Sequence, residues 1–267
     1  MQLSDATFQR YSQWMKAQTG VHFTDIKKTL VTQRLMRRLH ARKIDTFEAY
    51  FRLLTHKDEE AERQLALDLL TTHETFFFRE PKHFDWLKQF LLQPRPHSQV
   101  LRFWSAAASS GEEVWSIAMM LADCLGVAGP WQLMGSDISQ PVIDKARGGH
   151  YVMQRCDGIP VNYLKKFCLK GQGTQLNTLL IMRELRQRVE FKVINLIEEF
   201  PSMAPFDVIF LRNVLIYFDI ETKAQVVNRC IQRLQPGGFL LVSHSESLNG
   251  MSSQLRLIQA GIYQKTL

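Results

Sequence analysis

Cysteine is scarce in this chain and shows no pairing pattern. Cys124, Cys156, Cys168 and Cys230 form no C-x-x-C pair and no zinc spacing. That excludes a zinc ribbon, leaves no metal expected, and suits a reducing cytosol. No apolar run approaches the roughly 20 residues needed to cross a bilayer, so any membrane link must pass through a partner. The opening Met1-Gln2-Leu3-Ser4-Asp5 lacks the basic start and apolar stretch of a signal peptide, and the expected location is the cytoplasm. Internal repeats and low-complexity tracts are missing. Glycine is nearly absent from the first hundred residues, where Gly20 stands alone, and nowhere does the chain carry the G-x-G-x-x-G of dinucleotide sites. Acids are outnumbered: 26 Asp and Glu face 33 Lys and Arg, a net charge of +7. This favours an acidic partner, with nucleic acid, anionic lipid and acidic protein all qualifying.

What is present suffices for one α/β core plus a small appended domain, since 267 residues with 45% hydrophobic content can bury both. The most informative stretch is LRFWSAAASSGEE at 101–113. Residues 100–104 read as a strand, residues 105–111 are small enough to let the backbone approach a ligand, and a helix follows. Val114, Ile117, Ala118, Leu121, Ala122 and Leu125 recur at helical spacing, with Ser109 or Ser110 as candidate caps. Glu112 and Glu113 enter the first helical turn, where a phosphate site would want bare amides, so a cationic ligand fits better.

A second strand at 131–136 ends on Asp137, twenty-six residues after Gly111, with Ser139 opening the next helix. An acid near that point, about 20 residues on, is the ribose-hydroxyl ligand of doubly wound sheets, and the competing cap at Ser139 favours that role. A third strand, 206–211, runs into Arg212-Asn213-Val214-Leu215-Ile216-Tyr217-Phe218-Asp219. Ligands in open parallel sheets bind beyond the carboxyl ends of strands, so this segment should face the same crevice. A helix over about 221–234 then ends in the turn Gln235-Pro236-Gly237-Gly238 before a strand at 239–243.

The first hundred residues follow a different pattern and carry no nucleotide-site motif. Over 25–42, Lys27, Arg34, Arg37, Arg38 and Arg42 fall on one side of a helical wheel and Leu35, Met36 and Leu39 towards the other, with Leu30 and Val31 less neatly placed. Only Asp25 and Asp45 flank these cations, so the face is expected to be unanswered and available to an acidic partner. Phe47, Tyr50, Phe51, Leu54, Leu65, Leu67, Leu69 and Leu70 supply the faces of a small helical core. Residues 93–97 read as the break before the first sheet strand.

These residues together resemble the CheR-type chemotaxis receptor methyltransferases, which are S-adenosylmethionine-dependent protein-glutamate O-methyltransferases. The likeness covers almost the whole chain. His73-Glu74-Thr75-Phe76-Phe77-Phe78-Arg79-Glu80 resembles the family's N-x-T-x-F-F-R segment, with His73 where Asn is common. The motif at 104–113, Ser136-Asp137-Ile138, the segment from Arg212 to Asp219, Gly237-Gly238 and His244-Ser245-Glu246-Ser247 follow in family order. The resemblance implies a Rossmann-like, mostly parallel α/β methyltransferase sheet, a small N-terminal all-α domain (1–70), and a methyltransferase domain (71–267) with an inserted β-subdomain at about 151–188. That insertion is too long for an ordinary loop.

By the same resemblance the cofactor is S-adenosylmethionine, leaving as S-adenosylhomocysteine, and the cofactor-binding residues are His73, Thr75, Arg79, Glu113, Asp137, Asn195, Leu196, Arg212 and Asn213. Arg79 and Tyr217 are the catalytic candidates near the transferred methyl group. Arg34, Arg37 and Arg38 would contact the receptor's cytoplasmic helical region, and the insertion would, in some members, dock a receptor tail peptide. The enzyme would act as a monomer without nucleic acid. A nucleic-acid methyltransferase is the runner-up from the basic pI near 9.3, but Arg212-Asn213-Val214-Leu215 lacks the prolines of the Asn/Asp-Pro-Pro-Tyr that amino-methylating enzymes carry there. A cofactor sensor without catalysis is the third reading, and it need not keep Arg79 and Tyr217 together.

Overall fold

A computed structural model of the chain describes residues 2–96 and 99–266. Of the break at 93–97, His97 lies outside the described residues. The chain divides into two compact units, one joining residues up to Thr72 with Ile216–Lys223, the other combining His73–Leu215 with the rest of the chain from Ala224.

The first unit holds α1 (Asp5–Thr19), α2 (Lys28–Ala41), α3 (Phe47–Leu54) and α4 (Glu60–Leu70). Ser4 caps α1 by accepting from the Thr7 amide, and Gly20 ends it in the left-handed region at φ 76°. In α2 the buried residues are Val31, Leu35 and Leu39, spaced by four so that they stack on one face. Val31, which fitted the wheel poorly, is therefore central to the core, while Lys27 belongs to a 3-10 turn ahead of the helix. On α4 the core face is Glu62, Ala66, Leu67 and Leu70. Leu65, expected inside, is 42% exposed because it points off that i, i+4 stripe.

The second unit opens with α5 (Pro81–Leu92) and builds a seven-stranded sheet. Its strands are β1 (Leu101–Ser105), β2 (Trp131–Asp137), β6 (Val189–Val193), β7 (Phe206–Phe210), β8 (Leu234–Leu241), β9 (Leu255–Gln259) and β10 (Ile262–Lys265), in the order β6-β2-β1-β7-β8-β10-β9. β6, β2, β1, β7 and β8 are mutually parallel, and β10 runs against β8 and β9. Leu101, Phe103 and Trp104 on β1 are all buried, as a central parallel strand covered on both faces requires. Helix α6 (Glu112–Leu125) follows β1 and is buried over most of its surface. Helix α7 (Gln140–Gly148) follows β2, and α10 (Ile220–Gln232) precedes β8.

The insertion forms a three-stranded antiparallel sheet, β3 (His150–Val152), β5 (Thr178–Ile181) and β4 (Cys168–Lys170) in the order β3-β5-β4, with the short helices α8 (Val161–Phe167) and α9 (Arg183–Arg186). Tyr151, Ile159, Tyr163, Phe167, Leu179 and Ile181 join the same buried cluster as α6 and the main sheet, so the insertion shares its core with the sheet domain. Residues 235–238 do not separate helix from strand as the sequence suggested. They bulge within β8, whose register jumps from Leu234 opposite Phe206 to Phe239 opposite Val208.

Candidate active site

The crevice beyond the carboxyl ends of β1, β2 and β7 is built from a few charged side chains held in fixed positions. At the turn after β1, Ser109 adopts φ 49° and Gly111 φ 95°. The Ser109 amide donates to Asp137 Oδ2 at 2.9 Å, and the Ser109 hydroxyl donates to the His73 carbonyl at 2.9 Å. The Ser139 amide donates to Asp137 Oδ1 at 3.2 Å. Ser139 itself makes no side-chain cap, so Asp137 does the local tying expected of Ser139 while still presenting free lone pairs. His73 stands 3.8 Å from the same carboxylate. Burial pushes the Asp137 carboxyl above the ordinary carboxylate range, against the pull of His73 and of the neighbouring amides.

Neither serine caps α6: its N-cap is Gly111, and Ser110 instead donates to Glu112 Oε2 at 2.7 Å. Glu112 is fully buried and pairs with Arg155 of the insertion at 2.5 Å. Arg155 also donates to the Thr75 carbonyl at 3.2 Å, and the Tyr151 hydroxyl donates to the Ser110 carbonyl at 2.7 Å. The space left by the missing Gly111 side chain is filled by Ala146 and Tyr151, since an added Cβ would come within 2.7 Å of the Ala146 Cβ. That glycine therefore serves packing inside the protein, where the sequence suggested approach to a ligand.

Glu113, by contrast, faces the crevice. Ser105 donates to its Oε1 and Arg212 Nη1 to its Oε2, both at 2.8 Å. The Arg212 side chain is fully buried, and its Nη2 donates to the Arg79 carbonyl and to Glu80 Oε2. Its Nε finds no partner among the described residues. Arg79 sits between Phe78 at φ 54° and Glu80 at φ 59°, and its guanidinium lies over the Phe76 ring and donates to the Glu74 carbonyl. Asn213, at φ 58°, donates its amide to Glu246 Oε2 at 3.1 Å, and that oxygen also accepts from the Ser243 amide at 2.8 Å. Asn195 follows β6 and closes a turn, accepting from the Ile197 amide and donating to Glu198, and Leu196 beside it is buried. Residues 73–76 also wall a cavity of about 600 Å3, completed by Gln154, Arg155, Asp157 and Gly158.

Nine of the expected residues, His73, Thr75, Arg79, Glu113, Asp137, Asn195, Leu196, Arg212 and Asn213, thus fall in the sheet unit. Tyr217 belongs to the helical unit with Arg34, Arg37 and Arg38. The Tyr217 carbonyl accepts from the His22 amide at 2.9 Å. Burial lowers the affinity of the Arg34 guanidinium for its proton, and Tyr217 opposes that shift.

Three of the cations at 25–42, Arg34, Arg38 and Arg42, are answered after all, from α4 and its ends. Arg38 forks onto Glu62 at 2.8 and 2.6 Å, with the Tyr50 hydroxyl on the same carboxylate at 2.7 Å. Arg42 pairs with Glu59 at 2.6 Å. Arg34 donates to the carbonyls of Leu69, Leu70 and Thr71 at the end of α4. Only partners distant in sequence could reveal this, and a wheel drawn on one helix sees none of them. Arg37 remains exposed, without an ion pair among the described residues.

The donor set suits S-adenosylmethionine. The buried Nε of Arg212, unpartnered among the described residues, offers a donor to a carboxylate, Glu113 can accept an ammonium, and Asp137 can accept a diol. Ser105, Glu80, Arg155, Ser243 and Glu246 complete the site without having been assigned a role from sequence. Ser105, Glu80 and Glu246 stood inside matched motifs, which was the signal available.

Comparison with known proteins agrees. The family described as CheR methyltransferase, SAM binding domain, matches residues 73–263, and CheR methyltransferase, all-alpha domain, matches residues 6–71. A chemotaxis protein methyltransferase of Salmonella typhimurium is 38% identical over 263 residues, covering 98% of this chain and 90% of the relative. That of Escherichia coli K12 is also 38% identical, covering 98% and 91%. Chemotaxis protein methyltransferase 2 of Pseudomonas aeruginosa is 39% identical over 259 residues, covering 96% and 91%. The chain belongs to the CheR methyltransferase family and is an S-adenosylmethionine-dependent methyltransferase.

Proposed function

We propose that this enzyme methylates the side-chain carboxylates of specific glutamates in the cytoplasmic helical region of chemotaxis receptors, forming methyl esters for sensory adaptation. The observation that carries this reading is that the segment after β1 holds both the Glu113–Arg212 pair, through Ser105, and Asp137, through the Ser109 amide, within a chain whose curated relatives are chemotaxis protein methyltransferases.

S-adenosylmethionine supplies an activated methyl group. In this reading Asp137, steadied by two backbone amides, takes the ribose hydroxyls, with His73 beside it. Glu113 takes the ammonium and Arg212 the carboxylate of the amino-acid end, with the Asn213 backbone fixed next to it. Asn195 and Leu196 bracket the adenine, and Thr75 closes the near side.

An acceptor glutamate has a reference pKa of about 4.3 and is already ionised at neutral pH, so no residue has to remove a proton. The remaining task is alignment, which can supply roughly 7–11 kcal/mol when reacting groups are well placed. Arg79 is assigned to orient the acceptor carboxylate through its fork and Tyr217 through its hydroxyl. Residues 1–70 are assigned to receptor docking and 71–267 to methyl transfer. Of Arg34, Arg37 and Arg38, Arg37 has its charge free to meet an acidic receptor surface, while Arg34 and Arg38 brace the helix that carries it. The edge strands of the insertion at about 151–188 offer backbone to a receptor tail peptide. The enzyme is taken to be a cytoplasmic monomer; among the described residues no helix is long and apolar enough to cross a membrane.

The test is transfer of radiolabelled methyl from S-adenosylmethionine to membranes containing chemoreceptors, followed by alkaline treatment. Label released as methanol is the expected result. Label that resists base, or that appears on nucleic acid instead, would overturn the assignment.

A further inference from the structure

Beside the cofactor residues lies a second carboxylate that the reading above leaves without a task. Glu80 caps α5 from the left-handed region, at φ 59°, and is linked to residues far along the chain. Its Oε1 accepts from the Ser243 hydroxyl at 2.7 Å, and its Oε2 accepts from Arg212 Nη2 at 3.1 Å and faces His244 Nδ1 at 3.0 Å. The same Nη2 of Arg212 donates to the Arg79 carbonyl. Glu80 therefore ties, through one guanidinium, the backbone at Arg79 to the side chain that reaches Glu113.

Two consecutive demands explain why such a tie is needed. Phe78 and Glu80 both sit at positive φ, where non-glycine residues are strained, so the peptide carrying Arg79 needs outside bonds to stay in place. Arg212 is fully buried, and a buried guanidinium needs its charge paired and its donors hydrogen-bonded. Glu113 holds one end of the fork and Glu80 the other.

The cluster Glu80, His83 and His244 has the composition of a metal site. Arg212 already donates to the oxygen that both imidazoles face, however, so the positive charge beside this carboxylate comes from the chain itself.

We infer that Glu80 is a positioning residue for methyl transfer, locking Arg212 and the Arg79 backbone in the geometry that receives the cofactor. The inference rests on the assignment of Arg79 and Arg212 to the cofactor site, and the test separates the two. Affinity for S-adenosylmethionine is measured by calorimetry for the wild type, Glu80→Gln, Arg212→Lys and the double variant, with thermal melting of each.

Glu80→Gln should melt cooperatively and bind S-adenosylmethionine about tenfold more weakly, the effect of losing one charge-assisted bond. Glu80→Asp, which keeps the charge, should recover part of that loss. In the Arg212→Lys background the same Glu80→Gln change should have almost no further effect, because the fork it holds is gone. An equal loss in both backgrounds, or unchanged affinity in a folded Glu80→Gln protein, would overturn the inference. If Glu80→Gln does not fold, Ser243→Ala removes one support of the carboxylate more gently and should weaken binding about threefold; unchanged affinity there would count against the lock. Arg212→Lys with wild-type affinity would instead refute the cofactor-site assignment itself.

Discussion

Replacing Arg38 with methionine should unfold the helical unit more readily while leaving the sheet unit intact. Glu62 has only 2% of its side chain exposed, and Arg38 is the donor that forks onto both of its oxygens. Those bonds hold the Glu62 carboxyl below its usual range, with Tyr50 adding a third donor. Methionine fills the volume of the arginine stem but leaves a buried carboxylate with its main partner missing. Breaking one side of a buried pair costs about 3–5 kcal/mol, and a quarter of the Arg38 side chain is exposed, which favours the low end, about 3 kcal/mol. For a unit of this size each kcal/mol moves the midpoint by about 4–8 °C, so a drop of more than about 10 °C is expected in the first of two calorimetric transitions. The paired change Arg38→Met with Glu62→Met should restore most of it. A single variant melting within about 2 °C of wild type would refute the reasoning. The outcome bears directly on receptor docking, because a charge reversal at Arg38 would weaken methylation by unfolding the unit even if the residue never met a receptor. Arg37→Glu is the cleaner probe.

Asp137→Ala should weaken S-adenosylmethionine binding by at least about tenfold, since it removes a diol acceptor and releases the Ser109 bend together; unchanged affinity by calorimetry would remove the ribose assignment. Gly111→Ala should cost about 2–4 kcal/mol in urea unfolding, because it adds a Cβ 2.7 Å from Ala146 at a φ of 95°; a midpoint shift too small to see would contradict the packing described. Stability should also depend on acid at Glu80. Burial opposes its ionisation, but the Ser243 hydroxyl, the charge of Arg212 and His244 bring it down to about 2. Its contribution is fully present above about pH 4.5 and is lost as pH falls through about 2, so the wild type should lose more stability over that window than Glu80→Gln.

The parts of the fold legible from sequence were those whose cause is local. The β1-turn-α6 unit announced itself because Phe103 and Trp104 precede a run of small residues and then Val114, Ile117, Ala118 and Leu121 at helical spacing. Asp137 was legible because the strand carrying it ends there. The paired state of Arg38 was not, because its partner lies 24 residues away on another helix. Glu80 was visible as a letter in a motif but not as a lock, since its support comes from Ser243, 163 positions on. The strands β9 and β10 escaped because β9 is mostly exposed, so neither alternation nor a continuous apolar run marks it.

The helical unit draws part of its structure from very late in the chain. Val21 bridges Phe218, the His22 amide donates to the Tyr217 carbonyl, and Lys16 pairs with Asp219 at 2.5 Å. During synthesis, then, the first 72 residues leave the ribosome about 150 residues ahead of the segment that completes them. The four helices can collapse early, but the strand bridge and the Lys16 ion pair must wait until most of the sheet domain has been made. Tyr217 consequently takes up its place against His22 only after residues 73–215 have been translated, so the helical unit is completed late in synthesis.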